Sequence, residues 1–62
     1  LKASEHAKKE LGLTISLTAA GHLVGYTKDG LYKMFNNPKD IGHQKFNQLI
    51  REAQKKWKES IR

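Results

Sequence analysis

Apolar residues recur along this chain at spacings of three and four rather than in alternation, which is the signature of helices. Ala7 and Leu11 stand four apart with Ala3 one turn earlier, predicting a first helix from about Ser4 to Leu11. Ser4 has the side chain of an N-cap, Glu5 suits the first turn and Gly12 ends the run. Leu13 and Ile15 follow in a short segment expected to pack beneath a neighbouring helix. Leu17, Ala20, Leu23 and Val24 form the inward side of a second helix over Leu17–Val24, capped by Ser16 and broken by Gly25. Thr27 opens a third, Lys28–Phe35, whose buried side is Leu31, Met34 and Phe35. Asn36-Asn37-Pro38 closes it, because proline disfavours helical geometry in the residue before it. A fourth helix begins near Gly42 or His43 and runs to about Ile61. Phe46, Leu49, Ile50, Ala53, Trp57 and Ile61 fall there within an arc of about 120°.

The pattern predicts an all-α fold, a small helical domain of four helices ending in a long amphipathic one. A β-hairpin is the competing reading: Asp29-Gly30 is a two-residue turn signal between Leu23–Lys28 and Leu31–Phe35. The apolar doublets Leu23-Val24 and Met34-Phe35 break the alternation a hairpin needs and suit a helix stripe better.

With 62 residues there is room for a single domain over residues 1–62 and little room for a walled pocket. The absence of cysteine excludes disulfide scaffolds and thiolate metal sites. No apolar run approaches the length of a membrane span or a signal-peptide core, so a cytoplasmic address is expected. Residue 1 is Leu rather than Met, which reads as a start trimmed of its first residues. Charge adds more: the chain carries 12 Lys+Arg against 6 Asp+Glu, net +6. Residues 44–62 alone hold six Lys+Arg and two Glu. A basic domain of this size points to a polyanionic partner, since each cation that neutralises a phosphate releases a counterion. Arg51, Lys55, Lys58 and Arg62 form a basic stripe along the outer side of the fourth helix, suited to phosphates or simply to solvent.

Residues 17–35 carry the functional pattern. A DNA-binding helix-turn-helix needs small residues where its helices cross, supplied by Ala20 and Gly21. It needs an apolar residue before the turn (Val24) and a residue tolerant of positive φ within it (Gly25). It also needs a cap on the second helix (Thr27) and an apolar anchor six residues after the glycine (Leu31). On these residues the chain resembles the helix-turn-helix proteins of the phage Cro and repressor type. It departs from them at Leu17, where many members carry a Gln that touches the DNA backbone, and at Gly30, which costs about 1 kcal/mol relative to Ala inside a helix.

The resemblance implies that helix 17–24 lies across the DNA backbone, with Ser16 and Thr18 at a phosphate. It implies that helix 28–35 enters the major groove of double-stranded DNA. Base-contacting residues would be Thr27, Lys28, Asp29, Tyr32 and Lys33. Lys28 can donate to guanine and Asp29 can accept from a cytosine amino group. Asn36, and the stripe residues Arg51, Lys55 and Lys58, would contact phosphate. The expected function is that of a nucleoid-associated transcriptional regulator, most simply a repressor. A homodimer would suit both a marginal small domain and a palindromic site.

Neither catalysis nor a cofactor, metal or small-molecule substrate is expected. His6, His22 and His43 are scattered, with no i,i+4 pairing, and read as lone surface histidines. The alternative function is a helical protein-interaction module, dimerising or peptide-binding, without direct nucleic-acid binding. Trp57 and Ile61, extending beyond the body a three-helix core would cover, fit that reading as well.

Overall fold

The computed structural model describes residues 2–61. It is all-α: α1 (Lys2–Leu11), α2 (Leu17–Val24), α3 (Lys28–Phe35) and α4 (Gln44–Ser60), with a three-residue 3₁₀ turn, Ile41–His43, before α4. No strand occurs among the described residues, so the hairpin reading fails. Asp29 and Gly30 lie in the first turn of α3 instead, where Thr27 Oγ1 accepts a hydrogen bond from Gly30 N at 3.0 Å.

The bounds expected for α2 and α3 are the bounds found, and both caps are made. Ser16 Oγ accepts from Ala19 N at 3.2 Å. Gly25 is left-handed at φ 76, and its N–H donates to the Gly21 carbonyl. Tyr26 N donates to the same oxygen at 2.8 Å, a paired C-terminal cap that turns the chain out of α2. α1 differs from expectation, for it starts at Lys2 and Ser4 is an internal helical residue rather than a cap. Ala3 is 1% exposed and packs in the core one turn ahead of Ala7, so burial extends the helix past the local capping signal.

α4 starts at Gln44, one or two residues later than expected. Its first turn is capped from outside: the Asp40 carboxylate accepts from Lys45 N at 3.1 Å and from Phe46 N at 3.4 Å. His43 occupies the N-cap position at φ 54, with no side-chain cap bond, directly after Gly42 at φ 72.

The core unites Ala3, Ala7, Leu13, Leu17, Ala20, Leu31, Phe46, Ile50 and Ala53. Phe46, Leu31 and Ile50 are its largest fully buried side chains. Trp57 is half-buried, and Ile61 is 58% exposed, so the apolar arc of α4 outruns the helices that cover it. Gln54 is buried beside that arc. Its Oε1 accepts from Thr14 N at 3.0 Å, and its Nε2 donates to Thr14 Oγ1 at 2.9 Å, pinning the α1–α2 connection to α4. No described helix is long and apolar enough to cross a membrane.

Candidate nucleic-acid interface

The geometry of α2 and α3 is set at Gly21. A Cβ there would stand 2.6 Å from the Tyr26 carbonyl oxygen, 3.3 Å from the Tyr26 carbonyl carbon and 3.4 Å from Leu31 Cδ1. The obstacle is mainly backbone, so any larger residue forces the two helices apart. Gly30 faces a milder version: its Cβ would meet Thr27 Oγ1 at 3.2 Å. The helix-weakening glycine thus gives the capping hydroxyl room to reach the amide.

Leu31 is the fully buried anchor of α3, with half-buried Met34 and Phe35 beside it. The start and the outer side of α3 carry the residues singled out from sequence. Thr27, Lys28, Asp29, Lys33 and Asn36 are exposed. Asn36 lies at the C-terminal cap, where its N–H donates to the Tyr32 carbonyl at 3.0 Å. Tyr32 is half-buried against the core, and the Lys28 ammonium lies 5.7 Å from its ring centroid, a local cation–π contact. Ser16 and Thr18 are exposed at the start of α2.

Arg51, Lys55 and Lys58 are exposed on α4, but they are not brought to α3. They lie about 120–180° around the helix from Phe46, at 100° per residue. α3 packs on the Phe46 side, where the Phe35 and Phe46 rings stand 5.0 Å apart. The shallow surfaces around the stripe are lined by α4 residues alone. Arg62, the last stripe position, lies outside the described residues.

Two cations that sequence patterning passed over take their place beside α3. Lys45 shares a shallow concavity with Gly30, Lys33, Met34, Asn36 and Asn37, and Lys39 adjoins it along the connection to α4. The signal available in sequence was the short link between residues 35 and 44, which must return the start of α4 to the end of α3.

The histidines also depart from expectation. His22 is exposed, whereas His6 and His43 are half-buried in an aromatic cluster. His43 stacks on Phe35 at 4.1 Å and 5° between planes, and the His6 ring lies 5.3 Å from both. The His6 Nε2 and Asn47 Oδ1 are 2.8 Å apart, while the buried His43 Nδ1 has no protein partner. These residues are far apart in sequence, and no local pattern brings them together. Among the described residues, no three His, Cys, Asp or Glu side chains lie close enough to share a metal ion. No protein-family model, curated protein or solved structure matches this chain.

Proposed function

We propose that this chain is a sequence-specific double-stranded DNA-binding protein that regulates transcription, most simply as a repressor occluding a promoter, with α2 and α3 acting as a helix-turn-helix. The observation that carries the reading is the close crossing at Gly21, which seats Leu31 in the core while Thr27, Lys28, Asp29, Lys33 and Asn36 stay exposed on a chain of net charge +6. α3 enters the major groove by its N-terminal half. Lys28 donates to guanine, Asp29 accepts from cytosine, and Thr27 has its hydroxyl hydrogen to offer because the Gly30 amide uses only its oxygen. Tyr32, held under Lys28, presents its edge and hydroxyl, and Lys33 reaches a base or the adjoining phosphate.

Ser16, Thr18 and the free N–H groups of the first turn of α2 meet phosphates on one strand. Asn36, Lys39 and Lys45 meet them on the other. Two copies with α3 helices about 34 Å apart would read an inverted repeat, and nucleoid association follows from the same contacts.

Selection of bound duplexes from a random pool tests this reading, with enrichment of an inverted repeat as the expected result. For the enriched site, log K should fall linearly with the logarithm of salt concentration, by about 0.9 per tenfold salt for each phosphate neutralised. No enrichment together with a flat salt response would refute it. A protein-interaction module is the second reading, favoured by Ile41, 81% exposed, and Ile61. Salt-insensitive self-association without duplex binding would select it.

A further inference from the structure

We infer that the outer side of α4, carrying Arg51, Lys55 and Lys58, is a second phosphate-binding surface that takes a separate duplex, so that one molecule bridges two DNA segments. The inference rests on α3 being the reading element of the first duplex.

The first argument is direction. On α4, Lys45 and Leu49, which adjoin Tyr26 and Met34, lie about 80–180° around the helix from Arg51, Lys55 and Lys58, with Glu52 between them, so the stripe is turned away from α3. The molecule measures 37 × 21 × 18 Å along its principal axes. A straight duplex lying on α3 cannot also reach the stripe. Carrying it round would take a sharp bend within a few base pairs, which the stiffness of duplex DNA opposes.

The second argument is availability. Among the described residues, no side-chain hydrogen bond ties down Arg51, Lys55 or Lys58, whereas neighbouring Lys56 donates to the Leu23 carbonyl at 3.4 Å. Glu52 and Glu59 stand to one edge of the stripe, and Gln44, Asn47 and Gln48 continue it toward the start of α4.

The third argument is spacing. Arg51 to Lys58 covers about 10.5 Å at 1.5 Å per residue. Successive phosphates of a strand are further apart than the about 3.4 Å they rise along the axis, because each also turns about it, so a row of this length can meet two neighbouring phosphates and approach a third. Self-pairing through this side would juxtapose like charges, and it offers no Trp, Phe or Leu to enter a lipid interface.

A two-duplex capture assay on the intact chain tests the bridge, with one duplex on beads and a fluorescent duplex in solution. Wild type is expected to carry the fluorescent duplex to the beads. Arg51→Ala/Lys55→Ala/Lys58→Ala should keep single-duplex binding in a mobility shift yet lose capture by about tenfold or more, three counterion-releasing contacts being gone. Lys2→Ala/Lys8→Ala/Lys9→Ala, with equal charge removed from exposed positions of α1, should still capture. Far-UV circular dichroism verifies that both variants are helical.

Undiminished capture by the stripe variant would overturn the bridge and assign capture to paired copies. A stripe variant whose single-duplex salt slope drops by about 2.7 would place the stripe on the first duplex instead. Stripe-dependent binding to phosphatidylserine vesicles without capture would make the surface a membrane contact and equally overturn it. Wild type that binds one duplex but captures none refutes the bridge alone. Wild type that binds no duplex refutes the reading of α3 beneath it.

Discussion

Gly21 shows how a single missing Cβ sets the attitude of a helix. Alanine there would favour α2 intrinsically by about 1 kcal/mol, yet it would press on the Tyr26 carbonyl at 2.6 Å. Backbone cannot rotate aside as a side chain can, so overpacking wins. Gly21→Ala is expected to lower stability by about 1–3 kcal/mol, read from the midpoint of urea unfolding. Asp40 is the other residue whose role is local but decisive. Its carboxylate satisfies two amides at the start of α4 that His43 leaves open. Asp40→Ala should cost about 1–2 kcal/mol by the same measurement, and Asp40→Asn, which keeps an acceptor, should recover part of the loss.

At the scale of the element, α3 depends on Thr27 for its start and on Leu31 for its seat, which leaves its outward side free to vary. On the DNA-binding reading, Lys28→Ala should reduce the preference for the selected site over random duplex by about 1–3 kcal/mol, measured by competition binding. An unchanged preference would remove Lys28 from the reading surface. α2 and α3 were legible from sequence because their signals lie within a few residues of the helices they bound: Ser16, Gly25, Thr27 and the Leu31 anchor. α1 was less so, because Ala3 is buried by partners distant in sequence while Ser4 offers a cap that nothing takes up. Gln54 was missed for a related reason. A glutamine on the rim of an apolar arc reads as polar surface until Thr14, 40 residues away, supplies its partners. Of the candidate interface, the residues on α3 itself were legible. Lys39 and Lys45 were not, since they join α3 through the path of the chain rather than through periodicity. The even stripe on α4 drew attention to cations that face elsewhere.

At the scale of the molecule, one small core holds four helices, and Phe46 lies at its centre, fully buried against His6 and Phe35. Removing such a ring costs about 3–5 kcal/mol. Domains of this size rarely hold more than about 3–5 kcal/mol in total. Phe46→Ala is therefore expected to abolish the cooperative thermal transition by circular dichroism, while Ile41→Ala, at an exposed position, should leave it in place.

The stack of Phe35 on His43 fastens the far end of α3 to the start of α4, just as the Gly21 crossing fastens its near end. Held by contacts at both ends, α3 has less freedom to swivel toward an ill-fitting groove. On the DNA-binding reading the accommodation then falls to the nucleic acid. Sites should be ranked by how readily their uncontacted steps kink, with TA and CA steps favoured where the protein touches no base.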